Sequence, residues 1–95
     1  QQCRNIECLC LSKCMDITDL TCDSLGKYSS KLRKLDLSSC PKITDLSLKY
    51  LSNAAHSQGC PQLSYLDISW CKSITNEGVI ALAMGCPKIN TFFCR

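Results

Sequence analysis

Ten cysteines in 95 residues, a single histidine and a recurring aspartate are the side chains of this chain that could do chemistry. Cys8-x-Cys10-x-x-x-Cys14, with Cys3 upstream, places four thiols within twelve residues, enough in number for a tetrahedral zinc site. Such a site needs all its sulfurs converging at about 2.3 Å from the metal. The residues between them argue against convergence. Leu9 and Leu11 alternate with Cys8 and Cys10, so in a strand the leucines share one face and the thiols the other, with Cys14 in the turn beyond. Paired C-x-x-C knuckles are also missing from the sequence. No metal and no other cofactor is therefore expected. His56 has no partner in any recognisable catalytic motif and reads as a solvated loop residue. Asp36 and Asp67 are formally a carboxylate pair, but no activated nucleophile, Gly-rich phosphate loop or HExxH ligand pair accompanies them, and repetition explains them more simply. The chain is expected not to be an enzyme.

The cysteine content also exceeds the roughly 8–10% at which a short secreted chain reads as a disulfide scaffold. Position decides against that reading. Cys14, Cys40 and Cys71 fall at one position of a repeat, and Cys3, Cys60 and Cys86 at another, where Ser29 fills the slot in the second unit. Thiols recurring once per turn of a solenoid stack as small buried hydrophobes with weak S–H donors, a packing role that needs no pairing.

The repeat itself is written four times: Ile6-x-x-Leu9-x-Leu11-x-x-Cys14, Leu32-x-x-Leu35-x-Leu37-x-x-Cys40, Leu63-x-x-Leu66-x-Ile68-x-x-Cys71 and a truncated Ile89-x-x-Phe92-x-Cys94, at offsets of 26, 31 and 26 residues. Leucine-rich units run to about 20–29 residues, so the expected architecture is an α/β right-handed solenoid, a horseshoe fragment with parallel strands on the concave face and helices on the convex face. The units span approximately 3–28, 29–59, 60–85 and a partial 86–95, in a single domain. Alternation predicts strands centred on 8–11, 34–37, 65–68 and 91–94. Helices are expected to start near 18, 44 and 75, where Thr18, Thr44 and Thr75 can accept orphan N–H groups. Cys22, Leu48 and Val79 are followed three residues on by Leu25, Leu51 and Leu82 and then by small Gly26, Ser52 and Ala83, one apolar stripe against the sheet. Gly26, Gly59 and Gly85 are placed near helix ends. The second unit is five residues longer, and the excess falls at 53–57, which the convex side should absorb. The array is expected to be a soluble piece of something longer: no run approaches the roughly 20 apolar residues of a membrane span, and no charged-then-apolar leader opens it. Net charge is +3, but acidic and basic residues are interspersed without the cationic stripe that a phosphate backbone demands, so neither nucleic acid nor membrane is an expected partner.

Cys60-Pro61-Gln62-Leu63 through Ile74-Thr75-Asn76 follows, almost letter for letter, the pattern Cys-Pro-x-Leu-x-x-Leu-x-Leu-x-x-Cys-x-x-Ile-Thr-Asp, and so resembles the cysteine-containing class of leucine-rich repeat. In detail the chain is similar to the repeat domains of F-box/leucine-rich-repeat proteins. That resemblance implies a substrate-recognition subunit of a Skp-cullin-F-box ubiquitin ligase, cytoplasmic or also nuclear, whose horseshoe grips a protein target while an F-box outside these residues joins the ligase core. Ser29-Ser30 in place of Cys-Pro, Asn76 in place of Asp and the 53–57 insert are departures from the pattern. An interaction scaffold unrelated to ubiquitination is the alternative reading, with a cysteine-rich secreted or zinc-binding domain behind it. On any solenoid reading the outward strand side chains are the surface that can vary without disturbing the core. Partner contacts are therefore expected from Cys8, Cys10, Lys34, Asp36, Tyr65, Asp67, Thr91 and Phe93, with Tyr65 as the anchor. Trp70, just past the third strand, either adds to them at the rim or packs on the neighbouring turn.

Overall fold

The computed structural model describes residues 6–52 and 59–94. Seven elements alternate along the chain: β1 (Cys8–Cys10), α1 (Asp19–Tyr28), β2 (Lys34–Asp36), α2 (Asp45–Leu51), β3 (Tyr65–Asp67), α3 (Asn76–Gly85) and β4 (Thr91–Phe93). The strands form one parallel sheet in sequence order, and the helices stack α1 on α2 on α3 behind it. This is the solenoid that the repeat spacing predicts. Cys3, His56 and the 53–57 insert lie outside the described residues. Among those described, no helix is long and apolar enough to cross a membrane.

Backbone hydrogen bonds between units repeat as faithfully as the sequence does. The Glu7 carbonyl accepts from the Arg33 and Lys34 N–H groups, Arg33 from Ser64 and Tyr65, and Ser64 from Asn90 and Thr91, all at 2.8–3.1 Å. Register follows: Leu9, Leu35, Leu66 and Phe92 stand side by side, each pointing into the core. The strands are three residues long, shorter than predicted, yet the ladder runs one residue further, because Leu11, Leu37 and Ile68 donate to the Asp36, Asp67 and Phe93 carbonyls at 2.8–2.9 Å. Leu32, Leu35, Leu37, Leu63 and Leu66 are fully buried. At about 25 cal/mol per Å² of apolar surface, such side chains each contribute roughly 1.5–3 kcal/mol, the main favourable term for an array this small.

Cysteine completes that core. Cys40 Sγ lies 3.1 Å from the Leu11 carbonyl oxygen and Cys71 Sγ 3.0 Å from that of Leu37, so each thiol donates to the unit before it. Cys22, Cys60 and Cys86 are buried with them, and burial pushes the Cys22 and Cys60 thiols up to about 12 and that of Cys86 to about 11. These groups stay protonated at neutral pH and pack as hydrophobes.

Helix starts fall where the threonines predict, at Thr18, Thr44 and Thr75. Thr18 and Thr44 cap in the ordinary way, their Oγ1 accepting from Leu20 N and Leu46 N at 3.2 Å. A second device links the helices. Asp19, in the first turn of α1, accepts from Thr44 N, Thr44 Oγ1 and Ser47 Oγ of the next unit, and Asp45 likewise accepts from Thr75 N and Thr75 Oγ1. In the third unit Gly78 leaves the room that the Asp45 carboxylate occupies, since a Cβ there would fall 2.3 Å from its Oδ1. Thr75, unlike Thr18 and Thr44, makes no side-chain cap hydrogen bond of its own.

The buried stripe differs from expectation at one end. Ala83 is exposed and Val79 only half-buried, because among the described residues no helix stands beyond α3. The glycines also divide by role. Gly59 alone adopts the left-handed conformation, at φ 75°, whereas Gly26 is inside α1 and the C-caps are Ser29, Ser52 and Cys86. Gly85 is the last residue of α3, and it serves close approach: a Cβ there would sit 1.8 Å from the Ser52 carbonyl oxygen.

Two outcomes follow for stability. Replacing a helical glycine by alanine ordinarily gains about 0.5–1 kcal/mol, but overpacking against fixed backbone costs about 1–3 kcal/mol, so Gly85→Ala is expected to lower the urea midpoint. For Asp19, burial by itself pushes the carboxyl pKa up, and the hydrogen bonds from Ser47 and Thr44 outweigh it and hold the pKa below its ordinary value of 3.8. A lowered carboxyl stabilises the fold above its unfolded pKa and loses that contribution as pH falls through the folded value. Asp19→Ala is therefore expected to cost about 1–2 kcal/mol at pH 7, and urea titrations should show the gap from the parent closing at pH values below about 4.

Candidate functional site on the concave sheet

Outward strand side chains form two rows across the sheet. Cys8, Lys34, Tyr65 and Thr91 make one, and Cys10, Asp36, Asp67 and Phe93 the other. The alternation that buries Leu35 and Leu66 leaves every one of these residues exposed or half-buried, so the structure brings the eight predicted strand positions onto one face. Cys8 and Cys10 are exposed there, while Cys14 packs partly buried against the core. Among the described residues no three His, Cys, Asp or Glu side chains are grouped so that they could hold a metal ion.

The two aspartates are less free than their outward position suggests. Asp36 Oδ1 accepts from Ser38 N at 2.9 Å and Ser38 Oγ at 2.7 Å, and Asp67 Oδ1 accepts from Ser69 N at 2.9 Å. Each carboxylate thus closes the turn after its strand with one oxygen. The other oxygen differs: Asp36 Oδ2 meets only the Cys10 thiol, at 3.7 Å, and Asp67 Oδ2 accepts no hydrogen bond among the described residues.

Trp70 is exposed rather than packed in the core. It is 66% exposed, and its φ of 66° is shared by the equivalent Lys13 and Ser39, at 64° and 59°. A left-handed non-glycine residue costs roughly 1–2 kcal/mol, and here the turn geometry imposes it in three successive units, with Lys13 N and Ser39 N donating to the Ser38 and Ser69 carbonyls at 2.8 Å. Trp70 lines one groove with Tyr65, Asp67 and Phe93. Tyr65 and Phe93 meet edge to face, ring centroids 5.7 Å apart and planes at 62°. With Trp70 and Asp67 these rings line an open groove of about 390 Å³.

The groove is also lined by residues that sequence reasoning missed: Ser12, Ser38 and Ser69, with Lys13 and Ser39 in the left-handed turn. Ser12 Oγ and Ser38 Oγ are 2.9 Å apart, a hydroxyl pair running between units. A signal was present. Serine recurs in the slot after Leu11, Leu37 and Ile68, one more step of the alternation, with Ser12 and Ser38 half-buried and Ser69 buried. The left-handed turn had no such signal, because Lys13, Ser39 and Trp70 are not residues that announce a positive φ.

A protein-family model described as Leucine Rich repeat matches residues 28–52 and 59–83. Among curated proteins the chain is similar to F-box/LRR-repeat protein 4 of Bos taurus, 34% identical over 95 residues, and to Antagonist of mitotic exit network protein 1 of Saccharomyces cerevisiae, 32% identical over 93 residues. Each alignment covers 96% of this chain, but the chain spans only 14% and 15% of the lengths of those relatives. Among solved structures, a chain of the crystal structure of the Rad7 and Elc1 complex in yeast superposes with a TM-score of 0.78 at 20% identity, over 96% of this chain and 21% of that one. The structural likeness supports the fold, and the sequence likeness supports the resemblance drawn from the Cys60 to Asn76 motif.

Proposed function

We propose, on the premise that this chain belongs to the leucine-rich-repeat family, that it is the substrate-binding repeat region of an F-box ubiquitin-ligase subunit and holds its target on the concave sheet. Repeats of this family are protein-interaction modules, so the chain works by binding, and catalysis is left to other components. The observation that carries the concave reading is the aromatic groove: Tyr65, Trp70 and Phe93 converge on one face of a sheet held rigid by its ladder. Large aromatics at the centre of an interface carry a disproportionate share of binding energy, and a rigid platform loses little entropy on binding. The ligase reading rests on the relative named F-box/LRR-repeat protein 4. In it, a Skp-cullin core is joined only through an F-box outside these residues, in the cytoplasm or the nucleus, and the 95 residues act as one repeat domain.

A second reading has an observation of its own. The yeast relative is named as an antagonist of the mitotic exit network, a regulatory role that a repeat scaffold can perform by occupying a partner. Both readings use the same face and part company at the ligase core.

One precipitation experiment separates them. Full-length protein containing this chain, expressed in cells, is expected to bring down a Skp-cullin core together with a ubiquitinated target. Tyr65→Ala and Trp70→Ala should each reduce target recovery about tenfold, a loss of roughly 1.4 kcal/mol, with the core still bound. Lys49→Ala, on the exposed side of α2, should leave recovery unchanged. Target without any ligase core would establish the scaffold reading instead, and loss of target with Lys49→Ala but not Tyr65→Ala would move the binding face to the helices.

A further inference from the structure

We propose that the groove takes an arginine side chain of the protein partner, its guanidinium laid on the aromatic cluster and its N–H fork directed at the Asp67 carboxylate, with Asp36 on the neighbouring strand adding its negative charge. The inference rests on the concave-face reading above and adds the chemistry of the occupant. Asp36 and Asp67 are register partners on neighbouring strands, close enough for their negative charges to act together. Neither has a counter-ion among the described residues. The ion pairs among the described residues join Lys27 to Asp23, Arg33 to Glu7 and Lys42 to Asp16, all away from this row. Each aspartate spends one oxygen on its own turn, leaving Oδ2 of Asp67 without a donor and Oδ2 of Asp36 with only a thiol at 3.7 Å.

Three aromatic rings stand beside this charge. Phe93 is the register partner of Asp67, Tyr65 lies two residues before it on the same face, and Trp70 lines the same groove. A carboxylate pair alone would suit any cation, but an aromatic wall beside it selects for a flat, weakly hydrated one. Guanidinium stacks on a ring face while its edge donates two parallel hydrogen bonds to a carboxylate, whereas an ammonium is compact and more strongly hydrated. Lys34, beside Tyr65 in the other row, and Lys13, which lines the groove, are the cations nearby, and neither forms an ion pair with the aspartates. Bulk attraction cannot account for such binding, since the chain carries a net charge of +3.

Trp70 is the sole tryptophan, so its emission reports on the groove directly. The test titrates the chain with the capped peptide Gly-Ser-Arg-Ser-Gly and with versions carrying citrulline, lysine or glutamate in place of arginine. Citrulline keeps the shape and removes the charge. The arginine peptide is expected to shift Trp70 emission saturably, with the citrulline and glutamate peptides at least about tenfold weaker and lysine between them. Asp36→Asn and Asp67→Asn keep the Oδ1 acceptor that closes each turn, so the fold should survive, confirmed by an unchanged circular dichroism spectrum. Each should weaken the arginine peptide about fivefold or more without affecting the citrulline peptide. Equal affinity for arginine and citrulline, preference for glutamate or lysine, or full affinity in both asparagine variants overturns the proposal. If target recovery still depends on Tyr65 and Trp70 while the arginine preference is absent, this inference fails and the concave-face reading stands.

Discussion

Parallel strands can lie only about 4.8 Å apart, and everything else in this molecule is arranged around that spacing. Each unit hands one carbonyl, Glu7, Arg33 or Ser64, to two N–H groups of the next, which locks the register so that Leu9, Leu35, Leu66 and Phe92 coincide. A slip of one residue would turn those side chains out and bring Cys10, Asp36, Asp67 and Phe93 in, burying carboxylates at a penalty of several kcal/mol each. The same register that makes the core thus determines which side chains are offered to a partner.

The helices must accept the spacing of the strands while having a larger diameter of their own, about 10 Å with side chains. The layer behind the sheet fits through small residues and shared caps. Gly85 lets α3 approach the end of α2, and Asp19 and Asp45 each hold the start of the following helix through its threonine. Buried thiols pack among the leucines, where the oxygen of serine would bring a stronger demand for hydrogen bonds. The high cysteine content is therefore a packing solution, in keeping with thiols whose pKa values burial raises.

Most of this architecture was legible in the sequence because it is periodic. The strand centres, the helix starts at Thr18, Thr44 and Thr75, and the two outward rows all follow from counting. What was not legible depends on relations between units. That Asp19 caps the next helix is invisible without knowing how far α2 stands from α1. Gly85 looks like a helix terminator, and only the position of the Ser52 carbonyl shows that it is a point of contact. Trp70 could be read either way, because it sits in a left-handed turn that neither tryptophan nor the equivalent lysine and serine signals. Asp36 and Asp67 were recognised as outward, but their commitment of one oxygen to the turn was not, and that commitment is what leaves a single directed acceptor on each.

The account stands on the register of the ladder, and the cysteines are built-in probes of it. Native-state alkylation followed over time by peptide mass spectrometry reads each thiol separately. With this register, Cys8, Cys10 and Cys94 should label at the rate of an exposed thiol, whereas Cys22, Cys40, Cys60, Cys71 and Cys86 should wait for unfolding. Global opening limits the second group to roughly 10⁻³ or less of the exposed rate for a fold of ordinary stability. Protection of Cys8 and Cys10 together with rapid labelling of Cys40 and Cys71 would contradict the register, and with it the assignment of the concave surface.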